Sequence, residues 1–352
     1  MTLRVVQWAT GAVGMAQLRA VIDSAELELA GLFVYSAEKA GMDAGALVGR
    51  GDTGILATAD KQAILALDAD LVLHAASKGF AENTNTDDIV ALLESGKSVI
   101  STTTYAHLPT FSPDADRRIR AACDKAGARF HAAGEHPGFM LERLAVSLTA
   151  LSQRVDCITV QEVVDVSGLK EEAMLVSLMG MGKQPHEVSP DSPMFAAVSS
   201  QYEQAIMAAA ESLHLTVDRI ERAIRTATVD HDTKVACGVL PAGTVVGQIL
   251  SWSAIHGGKH VIVLEEYWTA ASDIPDWPEM LDGKFVVKVR IEGSPSMSLD
   301  LAIDNAPDAD GSGGGHIAVA MSAVRAIPDV MASPSGVVVP RVFGAYRWEP
   351  QP

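Results

Sequence analysis

The chain has 352 residues, 48% of them hydrophobic and 20% charged, the composition of a folded protein with room for two domains. Its 44 acidic and 27 basic side chains leave a formal charge of −17. That argues against a nucleic-acid partner, which needs basic patches, and against an anionic membrane surface.

The first 133 residues alternate strand-like and helix-like segments. Leu3-Arg4-Val5-Val6-Gln7-Trp8 reads as a buried strand, Ala9-Thr10-Gly11-Ala12-Val13-Gly14 as a tight turn, and Met15 to Asp23 as a helix. A strand, a glycine turn and a helix start form a pyrophosphate cradle: glycines admit the phosphates and the helix start offers free N–H groups. Thr10, Gly11, Ala12, Val13 and Gly14 are therefore the candidate cofactor residues. Ala9 stands where the usual G-x-G-x-x-G has its first glycine, so a plain strand-to-helix turn is the competing reading.

Leu27 to Tyr35 is a second strand, and a shorter one is expected at 54–57. The tip of the second strand selects the cofactor, because an acidic residue there bonds the ribose hydroxyls of NAD. Here it reads Tyr35-Ser36-Ala37-Glu38-Lys39. Ser36 can donate to a 2′-phosphate and Lys39 can neutralise one, which favours NADP, with NAD possible. Lys39 and Glu38 could equally be solvated loop charges. Asp68 to Ala76 is a buried strand; Ala75 and Ala76 at its tip suit a cofactor lying flat, or plain loop packing.

A helix over 86–95 closed by Gly96, a strand at Ser98-Val99-Ile100-Ser101, a helix capped by Ser112-Pro113 and ending near Gly127, and a strand at 129–133 follow. Repeated β-α units with apolar strands predict a Rossmann-type, doubly wound parallel sheet.

After Gly134 the pattern changes. A helix over 140–153 leads into the β-branched run 155–165; helices are expected over 195–213 and 217–226, and strands over 245–252, 259–268 and 284–292. Consecutive strands with polar turns predict a second α+β domain with a mostly antiparallel sheet. The glycine cluster over 308–315 is a linker, a lid or a second anion site. A helix over 316–327 follows, stopped by Pro328. The domains read as 1–133 with 316–352 for dinucleotide binding, and 134–315 for substrate.

Cys123, Cys157 and Cys237 lie too far apart for metal-ligand spacing, so no metal is expected. They suit a reducing compartment. With no signal-like opening and no apolar run of the ~20 residues that span a bilayer, the expected location is the cytoplasm, away from membranes.

Gln7-Trp8-Ala9-Thr10-Gly11-Ala12-Val13-Gly14, the Tyr35-Ser36 strand end, Gly134-Glu135-His136-Pro137-Gly138-Phe139 and Ala323-Val324-Arg325-Ala326-Ile327-Pro328 together resemble one family. It is the dihydrodipicolinate-reductase-like group containing 2,4-diaminopentanoate dehydrogenase and the native amine dehydrogenases. The resemblance spans nearly the whole chain. It implies a Rossmann domain, a C-terminal domain whose sheet serves substrate binding and homodimer formation, and a final helix returning to the first domain. It further implies NAD(P)-dependent chemistry on a small molecule at C=N or C=O, in a cleft between domains.

Two departures matter. Dihydrodipicolinate reductase proper has a His-His pair with a nearby lysine, which the lone His136 does not reproduce. The amine dehydrogenases look to place a glutamate just after the strand ending at Ser101. Here Thr102-Thr103-Thr104-Tyr105-Ala106-His107-Leu108-Pro109 holds no carboxylate, and Thr104 or Tyr105 takes that place.

Hydride transfer needs a proton donor. Tyr105, on a loop after a parallel strand, is one candidate; its alternative is an aromatic that packs the loop. His107 shares that loop. His136 beside Glu135 is another, the alternative being a hinge residue bonded to backbone. The leading reading is an oxidoreductase for a small or medium apolar ketone, imine or amine. Its rival is a cofactor-binding sensor that kept the Rossmann domain and lost its acid.

Overall fold

Four-residue apolar runs such as Leu71–His74 and Ser98–Ser101 become strands whose every residue is buried, as expected when helices cover both faces of a parallel sheet. The computed structural model describes residues 2–77, 82–103, 105–278, 285–304 and 313–348, with backbone alone for 82–84. In chain order its elements are β1 (Leu3–Trp8), α1 (Ala12–Ile22), β2 (Leu27–Phe33), α2 (Ala44–Leu47), α3 (Lys61–Ala66), β3 (Leu71–His74), α4 (Glu82–Glu94), β4 (Ser98–Ser101), α5 (Leu108–Phe111), α6 (Pro113–Ala126) and β5 (Arg129–Ala132). Then come α7 (Val146–Leu148), β6 (Arg154–Asp165), α8 (Pro193–Ser212), β7 (Arg219–Thr228), β8 (Thr233–Val235), β9 (Gly238–Leu240), β10 (Val245–His256), β11 (Lys259–Thr269), β12 (Phe285–Ser294), β13 (Met297–Ile303), α9 (Gly314–Ala332) and β14 (Gly336–Val337).

The chain divides into two units, Met1–Phe139 with Asp308–Arg341, and Met140–Pro307 with Val342–Pro352. In the first, six parallel strands among the described residues run β14-β5-β4-β3-β1-β2. The order reverses beside β1, which has β2 on one side and β3 on the other. Such a switch point is where α/β sheets bind ligands, outside the carboxyl ends of the strands. The expected strand at 54–57 is reduced to isolated bridges from Leu56 and Thr58.

Ser112 caps α6 by accepting from the Ala115 N–H, and Gly127 closes it at φ +66°, as its sequence signals require. The last helix, α9, lies in this unit, with Ala323, Ile327 and Val330 packed among Val5, Val21, Leu71 and Leu73. Pro328 does not stop it; the helix runs to Ala332. Burial of Ile327 and Val330 on one face outweighs the hydrogen bond that proline removes.

The second unit holds a sheet of order β13-β12-β6-β11-β10-β7. Each neighbouring pair is antiparallel except β6 with β11. α8 packs its aromatic side against this sheet: Tyr202 and Phe195 stack on Trp252 at 4.3 and 5.6 Å between ring centroids. Two expectations need correction. Residues 219–228 form a strand, β7, where a helix was expected, and the stretch 140–151 is a mixture of π, α and 3₁₀ turns. Residues 342–348 go with this unit, where Tyr346 N donates to Thr149 Oγ1 and Trp348 N to the Leu213 carbonyl. Among the described residues no helix is long and apolar enough to cross a membrane.

Candidate active site at the carboxyl edge of the parallel sheet

The turn leaving β1 is built around a strained alanine. Ala9 adopts φ +76°, a left-handed conformation that glycine takes freely and a Cβ-bearing residue takes at a cost. Its N–H donates to the Phe33 carbonyl at 2.9 Å, and its carbonyl accepts from Gln7 Nε2 at 3.1 Å. Gln7 is fully buried, and the same nitrogen reaches Gln17 Oε1 at 3.1 Å.

The two glycines of the turn do different work. A Cβ on Gly14 would fall 2.2 Å from the Ala9 carbonyl oxygen, so Gly14 lets helix and strand pack closely. A Cβ on Gly11 would meet nothing within 4 Å; the space in front of it is open. Gly11 is also the N-cap of α1, without a side-chain cap and with no acidic residue in the first turn. Gly11 and Ala12 are exposed. The first N–H groups of α1 thus present uncompensated partial positive charge to that space, the setting that a pyrophosphate requires. The residues present fit a dinucleotide.

Other expected cofactor residues gather here. Lys39 Nζ donates to the Thr10 carbonyl at 3.0 Å and meets Thr10 Oγ1 at 3.1 Å. Ser36 lies half-buried beyond the end of β2 and accepts the Lys39 N–H through its carbonyl. Ala75 N donates to the Trp8 carbonyl at 3.0 Å, which brings the Ala75-Ala76 tip beside the turn. Ala76 itself packs with Trp8 in the core. Close by, the Tyr35 hydroxyl accepts from Trp8 Nε1 and donates to Asp88 Oδ2, and Asp88 pairs with Lys61 at 2.5 Å. Burial raises the Tyr35 hydroxyl above its ordinary pKa.

Loops after β3, β4 and β5 share this edge, but their candidates divide. Thr104 lies outside the described residues. Tyr105 does not reach the ligand edge: it is 3% exposed and packed edge-on against Phe111 and Phe130. Its hydroxyl lies 2.9 Å from Thr86 Oγ1, and burial pushes it up to about 12. A phenol sealed between aromatic rings stabilises the flank of the sheet and holds its proton. His107 Nδ1 pairs with Thr110 Oγ1 at 2.8 Å. His136 sits in a tight turn after β5, where a Cβ on Gly134 would meet the Pro137 carbonyl at 2.1 Å and Gly138 takes φ +128°. Pro137 and Gly138 thus form the bend, with Glu135 buried beside His136.

Sequence reasoning missed a polar chain at the same edge. His74 and Ser101 end β3 and β4 at the same register. His74 Nδ1 lies 3.0 Å from Ser101 Oγ, which lies 2.6 Å from Thr103 Oγ1 and accepts from Thr103 N at 3.2 Å. His74 is fully buried and its Nε2 has no partner among the described residues. Burial drives the imidazole down to about 3, so it stays neutral. The available signal was two paired apolar strands that both end in a polar residue.

In the second unit, Glu162 and Glu266 stand side by side on β6 and β11. Tyr202 donates to Glu162 Oε2 at 2.6 Å and Trp268 Nε1 to Glu266 at 2.6 Å. Burial, then the two carboxylates, raises the Tyr202 hydroxyl well above its usual range. Among the described residues no cluster of His, Cys, Asp or Glu is placed to hold a metal.

Comparison with known proteins gives a family match, a curated relative and solved structures of the same fold. Residues 139–341 match the 2,4-diaminopentanoate dehydrogenase C-terminal domain family. An amine dehydrogenase of Streptomyces virginiae is 30% identical over 324 residues, 89% of each chain. Among solved structures, an amine dehydrogenase from Mycobacterium smegmatis shares the fold at TM-score 0.71 and 19% identity, over 100% of this chain and 98% of that one. An Agrobacterium radiobacter oxidoreductase, solved with NAD+, L-tartaric acid and magnesium, shares it at TM-score 0.52 and 10% identity, over 94% and 89%.

Proposed function

The chain belongs to the 2,4-diaminopentanoate dehydrogenase family and is an NAD(P)-dependent oxidoreductase of the amine dehydrogenase type; from that premise we propose that it uses NADP to interconvert a small or medium apolar amine with its ketone or imine. The observation that carries this reading is the turn from Ala9 to Gly14. It joins an open space before Gly11 to an uncapped helix start.

Thr10, Gly11, Ala12, Val13 and Gly14 hold the pyrophosphate through backbone N–H groups. Ser36 and Lys39 follow the end of β2, where the strand itself ends without a carboxylate, Glu38 lies further along the loop, and a hydroxyl and an ammonium stand close enough to favour a 2′-phosphate. Ala75 and Ala76 leave room for a flat ring beside the turn. The bound dinucleotide supplies the hydride. The protein supplies a proton and excludes water. With Tyr105 sealed in the core, Thr104 and His136 are the groups that we assign to proton delivery. The His74-Ser101-Thr103 chain holds the first residues that follow β4.

Unit one is the dinucleotide domain, and unit two serves substrate binding and homodimer formation. The free cysteines Cys123, Cys157 and Cys237 suit a reducing cytoplasm.

A second reading, direct carbonyl reduction, draws on one observation: Thr102 to Pro109 holds no carboxylate to position ammonia. NADPH oxidation with a panel of apolar ketones, with and without ammonium, separates the two. Turnover that requires ammonium is expected; equal turnover without it would transfer the assignment to a carbonyl reductase.

A further inference from the structure

We propose that Lys39 is a positioning residue, a clamp that holds the pyrophosphate turn in the shape which the missing first glycine would otherwise give. The geometry stands by itself; its consequence for binding rests on the dinucleotide reading above.

Ala9 is held at φ +76° although its Cβ disfavours that conformation. Something must over-determine the turn for such a residue to persist there. Three contacts fix the Ala9 peptide from the strand and helix sides. Its N–H is held by the Phe33 carbonyl, its carbonyl by Gln7 Nε2, and Gly14 lies so near that a Cβ would fall 2.2 Å from that carbonyl. The next peptide is fixed from outside this group. Lys39, 29 residues along the chain, donates to the Thr10 carbonyl at 3.0 Å and meets its hydroxyl at 3.1 Å. Lys39 is itself anchored, its N–H on the Ser36 carbonyl and its carbonyl accepting from Met42 N.

A trans peptide points its carbonyl and its N–H in opposite directions. Pinning the Thr10 carbonyl therefore aims the Gly11 N–H, which belongs to the helix start that receives the pyrophosphate. An ammonium that is half-buried and bonded to backbone is a strong donor. It couples the loop after β2 to the turn after β1. Losing it therefore harms NAD and NADP binding alike, beyond any charge that Lys39 offers a 2′-phosphate.

The test is a mutant cycle of Ala9→Gly and Lys39→Met, with Lys39→Arg as the conservative variant. Dissociation constants for NADPH and NADH are measured on each, and urea midpoints are measured without nucleotide. Lys39→Met is expected to weaken both nucleotides about tenfold. Ala9→Gly should restore most of the lost NADH affinity, and Lys39→Arg should retain it. Without nucleotide, Lys39→Met should lower the midpoint less when Ala9→Gly is also present. A Lys39→Met loss confined to NADPH, or losses of equal size in both backgrounds, would overturn the clamp. Failure of the wild-type protein to bind either nucleotide would instead remove the dinucleotide reading; the clamp would then stand or fall on the urea midpoints.

Discussion

His74 carries the most perturbed titration at the proposed site, and its consequence can be measured. Burial holds its imidazole down to about 3, against an ordinary 6.5. Between those values the unfolded chain binds a proton that the folded chain refuses. His74 therefore contributes stability that is fully present above pH 6.5 and drains away as the pH falls toward 3, by up to about 1.4 kcal/mol per pH unit. His74→Gln should flatten that slope. Urea midpoints at pH 7, 6, 5 and 4 for both proteins test it, and parallel slopes would sink the idea. Tyr105 shows how much of such a site a sequence conceals. Its place after a parallel strand is legible, but two side-chain directions fit that place, one toward the ligand edge and one between Phe111 and Phe130. Residues distant in sequence, Thr86 and Phe130 among them, decide between the two. Lys39 is the opposite case: its position after the second strand was readable, and the structure adds a partner, Thr10, that no local pattern indicates.

Among the elements, the strand-turn-helix of β1 and α1 was legible because its parts are local. Gly11 and Gly14 separate its two jobs. Gly11→Leu should abolish dinucleotide binding with little change in stability, since the new side chain enters open space that the ligand needs. Gly14→Ala should destabilise the fold by about 1–3 kcal/mol, because its Cβ collides with the Ala9 carbonyl. Thermal melts alongside nucleotide titration check both; a Gly11→Leu protein that still binds NADPH would end the cradle reading. β7 was not legible. Ile220 and Ile224 are four residues apart, a spacing that places two side chains on one side of a helix and also on one face of a strand. The surrounding Arg, Glu and Ala residues are good helix formers. What decides is the ladder to β10, pairing Ile224 with Leu250 and Ile220 with Ala254, and a pairing partner some thirty residues away leaves no local signature. Pro328 within α9 follows the same logic: a local stop signal gives way to buried neighbours contributed by distant strands.

At the scale of the whole molecule the proposed homodimer is tested through the second unit's sheet. One face is occupied by α8 through Tyr202, Phe195 and Trp252. Side chains alternate along strands, so the opposite face carries Thr159 and Gln161 from β6, Ser251 and Ser253 from β10 and Glu265 from β11. All five are half-buried. Gln161 Nε2 donates to Glu265 at 2.7 Å, Arg225 reaches Glu265 at 3.3 Å, and Trp277 covers one end by packing on Tyr267. Six strands about 4.8 Å apart and about ten residues long span roughly 1,000 Å², slightly above the ~800 Å² per partner of a standard stable interface. A face of that size, polar yet internally paired, can meet its own copy about a two-fold axis without stranding a charge. Light scattering on the eluting protein should give twice the 37.1 kDa chain mass. Ser251→Arg places an unpaired cation in the middle strands of that face and should shift the mass toward one chain, while nucleotide affinity, which we assign to the first unit, holds. A wild-type protein of single-chain mass at working concentration would rule the dimer out, and a Ser251→Arg protein of undiminished mass would move the interface elsewhere on the chain.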